Sequence, residues 1–462
     1  MPDTFQTFRD PLLSLYQSAV DQIAKRLDAN PTNKARGARL TLPRSAASTL
    51  PGIAAEIAQR AFDQERGVET SQSQSASIAR ELTNTGIARV CAELSFRYLN
   101  ALARGDSKAL SELKHEFVAG TCDPAWLNTL IEYHLYFESD GKRKPIPYIR
   151  ASDDGPKTIE IKTGARVAVA GDWGTGAQPA IDVLKTIADH NPDVFVHLGD
   201  IYYSGTSDEC QTNFVDPIDL VLRKGTLTPD VFTLSGNHDM YCGGVGFYEL
   251  IKRLNAPLSI QPASFFCLRS ADEKWQILAM DTGLHDDSPV SVADAVTFLE
   301  DDELAWHCDR IREFPGRTIL LSHHQLFSAF SPIGAADTSG KRSALNPHLL
   351  KAFQKMSASG NIAAWFWGHE HTLGIYKPFA GLKRGRCVGH GAVPVSLIDK
   401  IYDTLPDLEE PPEIIEATKL GATGGVYTHG YALLEFEGDV CRAEYFEQNN
   451  EGRSRVYVET IS

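Results

Sequence analysis

The stretch Ile319-Leu-Leu-Ser-His-His324 decides the fold, because its apolar residues run directly into two adjacent histidines. A short apolar run that opens onto imidazoles is typical of a buried strand in a parallel sheet, which delivers side chains to a crevice at the carboxyl ends of its strands. Four other strand-like segments of the sequence end on polar clusters in the same way. The sequence therefore predicts one active site at the edge of one sheet.

The clusters at these strand ends share residue types that can bind metals. They are Gly171-Asp-Trp-Gly174, Gly199-Asp-Ile-Tyr-Tyr203, Gly236-Asn-His-Asp239, Ser322-His-His324 and Gly368-His-Glu-His371. Carboxylate, amide, imidazole and phenol groups bind hard or borderline divalent and trivalent cations. One such cluster alone has an ordinary explanation, since an Asp after Gly is more often a helix N-cap than a ligand. Five in succession indicate a site with enough donors for two ions.

Strands alternate with helices around these clusters, which predicts an α/β domain. Strands are predicted over 166–171, 193–199, 230–235, 275–281, 318–322 and 362–367, and helices over 178–190, 213–224 and 292–314. After Gly368 the pattern is β alone, over 386–395, 431–436 and 440–446. We expect a mixed sheet packed on a second sheet with helices outside, as one catalytic domain over residues 156–462.

Residues 1–150 carry helical periodicity instead, as in the apolar recurrence of Phe8, Leu12 and Tyr16. They show no metal-binding or nucleophile pattern, so we expect an all-helical accessory domain that either binds a partner or mediates oligomerisation. The segment from 137 to 156 is rich in Gly, Pro and charge and is predicted to be a linker.

Composition narrows the classes of partner. The chain has 462 residues, 42% of them hydrophobic and 23% charged, as in an ordinary soluble globular protein. Its formal charge of −15 disfavours a nucleic-acid backbone, whose binding needs Lys and Arg. No signal peptide or membrane-length apolar run is apparent. The eight cysteines are scattered without a C-x-x-C pair, which favours free thiols. We expect a cytoplasmic protein with no membrane partner.

The five clusters, taken in order, resemble the signature of the calcineurin-like metallophosphoesterase superfamily over roughly residues 165 to 395. Their details are most similar to the purple acid phosphatases. Most other members of the superfamily carry a metal-binding histidine where Gly174 stands here, and purple acid phosphatases place a tyrosinate at the position of Tyr203. A phenolate is hard and anionic and therefore suits Fe(III). Because Tyr202 is adjacent, the choice of Tyr203 depends on spacing alone.

The resemblance implies a four-layer α/β/β/α sandwich of the α/β (α+β) class, with two metal ions at its edge. The ions would be Fe with Fe, Mn or Zn, with a Mn/Mn pair also open. The first ion would be held by Asp172, Asp200, Tyr203 and His371, and the second by Asp200, Asn237, His323 and His369. Asp200 would bridge the two ions, and the pair would clamp a phosphoryl group and supply hydroxide for in-line attack.

Three further residues are predicted to act on the substrate or beside it. His238 would contact the phosphate and serve as general acid, a role that suits an imidazole. Asp239 would orient His238, as carboxylates commonly do for imidazoles. His324 is either a substrate contact or a supporting or surface residue. On an extended backbone it would point away from the metal that His323 binds, unless the strand has already ended there.

The leading hypothesis is a metal-dependent phosphoric ester hydrolase that acts on small-molecule phosphomonoesters. A phosphodiesterase for a nucleotide or lipid headgroup is the alternative within enzymes. A partner-binding signalling protein with a residual metal site is the alternative of another class, and competent donors at every ligand position count against it. Purple acid phosphatases are usually secreted, and residues 1–150 do not resemble the β-sandwich domain of the plant enzymes. Substrate scope therefore cannot be transferred from them.

Overall fold

The computed structural model of this chain describes the following residues: 144–153, 157–224, 228–258, 260–287, 295–393, 395, 397, 400–403, 405, 408–423, 426–449 and 452–462. The chain divides into two compact units, one of 1–137 with 394–399 and one of 138–393 with 400–462. The account below concerns the second unit. The predicted helical domain over 1–150 lies outside the described residues except for 144–150, so the boundary near residue 155 stays a prediction.

The second unit is built mainly from strands, numbered here in chain order. They are β1 (Thr158–Ile161), β2 (Arg166–Ala170), β3 (Val194–His197), β4 (Asp230–Thr233), β5 (Phe266–Ser270), β6 (Trp275–Ala279), β7 (Arg317–Ser322), β8 (Arg342–Ser343), β9 (Ile362–Trp367), β10 (Leu373–Ile375), β11 (Gly385–Val388), β12 (Leu408–Glu409), β13 (Ala422–Thr423), β14 (Val426–Tyr427), β15 (His429–Glu437), β16 (Val440–Asn449) and β17 (Gly452–Ile461).

The helices lie between these strands. They are α1 (Gln178–Ala188), α2 (Ser207–Glu209), a π-helix (Cys210–Val215), α3 (Asp216–Val221), α4 (Asn237–Tyr241), α5 (Val245–Ile251), α6 (Asp301–Arg312), α7 (Pro347–Ser359) and a 3₁₀ turn (Glu416–Thr418).

Two mixed sheets carry the fold. One has six strands in the order β17-β16-β15-β2-β3-β4, and the other has seven in the order β1-β5-β6-β7-β9-β11-β10. Within the first, β2, β3 and β4 run parallel. Within the second, β6, β7, β9 and β11 run parallel. The strands that precede the predicted metal-binding clusters are therefore parallel strands, with β4 at the edge of its sheet and β2, β3, β7 and β9 inside theirs.

The sheets pack face to face, and the alternation of side chains along each strand shows it. Val167 and Val169 of β2 share the central core with Ile319 and Leu321 of β7, whereas Ala168 belongs to a cluster on the other face. Side chains of a strand point alternately to its two faces, so each strand contributes to two cores. The central layer is thus mainly apolar, and at its margin the buried Arg386 donates to the Glu459 carboxylate across 2.7 Å.

Helices cover both outer faces. α1 and the π-helix pack on the six-stranded sheet, where Leu184 and Phe214 lie in one cluster with Ala168. α6 and α7 pack on the seven-stranded sheet, where Phe353 lies with Leu320. The predicted four-layer α/β/β/α sandwich is confirmed for the described residues.

Some predicted elements have different bounds. The described part of the helix predicted over 292–314 begins only at Asp301, and the helix predicted over 213–224 is a π-helix followed by α3. α7, β1, β5 and β17 were not predicted. β7 ends at Ser322, so His323 and His324 both follow the end of the strand.

Residues 144–153, predicted as part of a linker, contact the rest of the second unit directly. Tyr148 donates a hydrogen bond to the buried Glu303 of α6 across 3.1 Å. Ile146 packs on an apolar cluster that includes Met240 and Tyr248. We call residues 144–153 the strap.

Within the described residues, no helix combines the length and apolar character needed to cross a membrane.

Candidate metal centre

The five predicted clusters meet at one edge of the sandwich. Parallel strands place their carboxyl ends at the same edge of a sheet, so β2, β3 and β4 deliver their clusters together, as do β7 and β9. Hydrogen bonds join the two sheets at this edge, where the Gly171 N–H donates to the Val388 carbonyl across 2.9 Å. The site predicted at a single sheet edge is therefore assembled from both sheets.

The donors predicted for the second metal converge closely. The Asn237 Oδ1 lies 3.1 Å from His323 Nε2 and 3.1 Å from His369 Nδ1, and those two nitrogens are 3.2 Å apart. Ligand atoms about 2.1 Å from an octahedral ion lie about 3 Å from one another, so these separations match the edge of a coordination polyhedron. Three acceptor-type atoms at such distances fit a bound cation.

The orientation of these ligands is fixed by their other polar atoms. The His323 Nδ1–H donates to the Leu198 carbonyl across 3.0 Å, which leaves the Nε2 lone pair facing the site. The Asn237 amide nitrogen donates to the Tyr241 hydroxyl across 2.6 Å, which turns its oxygen inward. Such outer hydrogen bonds select the tautomer and hold the ligand in position.

The first set of donors surrounds a tyrosine hydroxyl, and that hydroxyl belongs to Tyr202. It lies 3.0 Å from Asp172 Oδ1, 3.1 Å from His371 Nε2 and 3.3 Å from Asp200 Oδ2. Burial, followed by the charges of Asp172 and Asp200, raises the pKa of Tyr202 well above its usual value. Tyr203 contributes its backbone to the site, and its role as ligand stays a prediction.

Asp200 lies between the two sets of donors. Its Oδ2 is 3.3 Å from the Tyr202 hydroxyl on one side and 3.4 Å from His323 Nε2 on the other. Burial opposes its ionisation, but His323 and His238 beside it hold the pKa of the carboxyl well below its usual range. Asp172, Asp200 and His323 bring their ligand atoms within 4.8 Å of one another. Asp200 thus lies within reach of both sets of donors.

Three of the candidate ligands have left-handed backbone conformations. The φ angles are 55° at Asp172, 73° at Asp200 and 66° at His369. Such conformations are uncommon outside glycine and cluster at functional sites. Gly236 leaves room for this loop, since a Cβ at that position would lie only 2.0 Å from Asp200 Oδ1.

His238 projects into the site beside Asp200. Its Nδ1–H donates to the Tyr203 carbonyl across 2.7 Å, and its Nε2 lies 3.8 Å from Asp200 Oδ2. Burial lowers its pKa, although Asp200 and the hydrogen bond to Tyr203 act in the opposite direction. The second ring nitrogen is therefore the one presented to a ligand.

Asp239 has different partners from those expected. Its carboxylate accepts hydrogen bonds from the backbone N–H groups of Asp200, Ile201 and Gly236, at 2.9, 3.1 and 2.8 Å. Burial, with the charge of Asp200, raises its pKa to about 7. Asp239 thus fixes the backbone that carries Asp200, and the Tyr203 carbonyl orients His238.

His324 faces the site because the strand has ended before it. Its ring lies 4.5 Å from that of His369, centroid to centroid. Its Nε2 is 3.2 Å from Asp286 Oδ2, and its Nδ1 is 3.1 Å from the Thr282 hydroxyl. No local sequence pattern connects Asp286 with the site, because its contact with His324 spans 38 residues. His323, His324 and His369 also form a group with ligand atoms within 4.8 Å.

Candidate Asp and His metal ligands thus meet at one edge of the sandwich. The sequence profile of the calcineurin-like phosphoesterase family matches residues 165–373. This part of the chain belongs to that family.

Solved structures similar to this chain have low sequence identity to it. "GAP50 the anchor in the inner membrane complex of Plasmodium" is 13% identical, with 65% of this chain and 89% of that chain covered and a TM-score of 0.41. PhoD is 11% identical, with 69% and 74% covered and a TM-score of 0.42. A Vps29 mutant from Entamoeba histolytica is 14% identical, with 64% and 99% covered and a TM-score of 0.25. No curated protein matches the chain by sequence.

Proposed function

We propose that this protein is a metal-dependent phosphoric ester hydrolase that uses two ions to hydrolyse small-molecule phosphomonoesters. The observation that supports it is the position of Asp200 Oδ2, which is 3.3–3.4 Å from one atom of each donor set. Two bound ions would polarise the phosphoryl oxygens and activate water for in-line attack. A carboxylate shared by both sets is what a pair of adjacent ions requires.

The donor sets divide the ligands between the ions as follows. The first ion would be held by Asp172, Asp200, His371 and a tyrosine of the Tyr202–Tyr203 pair, and the second by Asp200, Asn237, His323 and His369. A buried phenol among carboxylates supports iron at the first position, with Fe, Mn or Zn at the second. The centre is therefore most similar to that of purple acid phosphatases.

His238 is the proposed source of the proton for the leaving oxygen. Its Nδ1–H is committed to the Tyr203 carbonyl, so the proton available for transfer is on Nε2. Nε2 is also close to the bridging carboxylate, where the ester would lie. Proton donation to a departing alkoxide is the step that an imidazolium at this position performs.

His324 and Asp286 are proposed to line the substrate side of the second ion. Both side chains are buried, and their 3.2 Å contact holds the ring of His324 beside that of His369. A hydrogen-bond donor at this position would contact a phosphate oxygen. Asp239 is proposed to support catalysis through the backbone of Asp200.

The test compares two substrates on the metal-loaded and metal-stripped protein. Hydrolysis of p-nitrophenyl phosphate that exceeds hydrolysis of bis(p-nitrophenyl) phosphate, and that requires metal, would support the proposal. A preference for the diester would favour the phosphodiesterase. Metal binding without turnover of either ester would favour a partner-binding protein.

We also infer a cytoplasmic location. The six cysteines in the described part of the chain are free thiols, as is usual in a reducing compartment. The function of residues 1–150 in binding a partner or in oligomerisation stays a prediction.

A further inference from the structure

We infer that Tyr202, and not its neighbour Tyr203, supplies the phenolate oxygen to the first metal. The inference rests on the proposed two-ion site and assigns a ligand within it. Spacing alone selects Tyr203, which is the third residue after Asp200. The side-chain geometry selects Tyr202.

The Tyr202 hydroxyl lies beside the three other atoms of the first donor set. It is 3.0 Å from a carboxylate oxygen of Asp172, 3.1 Å from Nε2 of His371 and 3.3 Å from a carboxylate oxygen of Asp200. These separations resemble those among Asn237, His323 and His369 at the second set, and both sets match ligands that share one ion. The oxygen of Tyr202 is thus positioned as a fourth donor.

Tyr202 is also held firmly in this position. It is fully buried, and its ring packs against that of His238 at 4.5 Å, centroid to centroid. Its backbone N–H donates to the Gly174 carbonyl across 2.9 Å. A buried side chain anchored at both backbone and ring loses little further entropy on binding an ion.

Gly174 explains why a donor is needed from elsewhere. It follows Asp172 by two residues but has no side chain, and a Cβ there would lie 2.8 Å from the Asp200 carbonyl oxygen and 3.0 Å from the Ile201 Cα. The backbone after β3 therefore occupies the space in which a ligand from position 174 would begin. The same backbone carries Tyr202 into the site.

The backbone of Tyr203 makes two hydrogen bonds beside the site. Its N–H donates to the Glu209 carboxylate across 2.7 Å, and its carbonyl accepts from His238 Nδ1 across 2.7 Å. Its ring is only partly buried, and its centroid is 6.4 Å from that of Tyr202. These contacts orient His238 and stabilise the loop that leads to α2, and they do not depend on the phenol.

The experiment loads Fe(III) into the metal-stripped wild type, Tyr202→Phe and Tyr203→Phe, and records metal content and the visible absorption spectrum. A phenolate on Fe(III) produces a visible charge-transfer band, whereas a phenyl ring does not. We expect Tyr202→Phe to lose the band and Tyr203→Phe to retain it. Near-ultraviolet circular dichroism of both variants checks that the fold is unchanged.

Two results would overturn the inference. One is loss of the band in Tyr203→Phe with retention in Tyr202→Phe. The other is an iron-loaded wild type without the band, which would show that neither tyrosine is a ligand. Phosphomonoester turnover by the wild type loaded with Mn or Zn is measured separately, so failure of the tyrosine assignment is distinguished from failure of the proposed hydrolase activity.

Discussion

Replacement of His238 tests the chemistry of the site most directly, because the effect should depend on the leaving group. In the structure the Nε2 of His238 lies 3.8 Å from a carboxylate oxygen of Asp200, and its Nδ1–H donates to the Tyr203 carbonyl. A positioned general acid contributes about 10²- to 10⁴-fold to rate. That factor corresponds to about 3 to 5 kcal/mol of transition-state stabilisation.

We expect His238→Ala to lower kcat for an alkyl phosphate by that factor. With p-nitrophenyl phosphate the loss should be about tenfold or less, since the stable phenolate needs little help from an acid. His238→Gln is the matched control. Its amide can still donate a hydrogen bond to a phosphate oxygen but cannot transfer a proton, so it should recover KM without recovering kcat for the alkyl ester.

The pH dependence of the wild type gives a second readout of the same role. Burial lowers the pKa of His238 from 6.5, with Asp200 partly opposing the change. The imidazolium is therefore present at acidic pH and is lost as pH rises through a pKa below 6.5. The rate of alkyl ester hydrolysis should decline as pH rises through this pKa, and the decline should be absent in His238→Gln. Equal rate losses for both substrates, with an unchanged pH profile, would refute the general-acid role.

Three further perturbations follow from the structure. Asp200→Asn removes the shared charge and should reduce both metal content and phosphatase activity by several orders of magnitude in a folded protein, and near-normal turnover would contradict a two-ion site. Glu303→Gln should change how the free energy of unfolding depends on pH, because burial raises the pKa of Glu303 well above 4.5. The stability that the Glu303 carboxyl contributes is full below pH 4.5 and is lost as pH rises through its folded-state pKa. Thermal unfolding should therefore favour the variant increasingly at higher pH, whereas a constant difference would count against a buried neutral carboxyl. Ile146→Ala in the strap should lower the free energy of unfolding by about 1–2 kcal/mol, because the side chain is half-buried against Met240. An unchanged urea midpoint would show that the strap does not stabilise the second unit.

Much of the fold was predictable because side chains alternate between the central core and an outer face along the strands of both sheets. Every second residue of β2 and β7 enters the central core, so each strand is a short apolar run with a polar cluster at its end. α7 also had a readable signal. Asn346 caps its first turn, Pro347 begins it, and Leu349, Phe353 and Met356 follow at helical spacing. β17 had a weaker signal, since its residues alternate between exposed and half-buried positions.

The candidate site was predictable only to the level of which clusters meet. The convergence of Asp172, Asp200 and His323 follows from parallel strands, whose ends are fixed by the sheet. The choice between Tyr202 and Tyr203 does not follow, because it depends on the backbone path after Asp200. The partner of His324 likewise lies on a loop 38 residues earlier, and no local pattern connects the two.

The role of Asp239 shows how the backbone and the ligands depend on one another. Left-handed conformations at Asp172, Asp200 and His369 cost about 1 kcal/mol or more each, and surrounding structure must hold them. Asp239 supplies part of that support by accepting from two successive backbone N–H groups of the Asp200 loop and from Gly236. These contacts involve only the protein, so the ligands are positioned before an ion binds. Binding energy that would otherwise order the loop is then available for the ion, and removal of the metal should leave the sandwich folded.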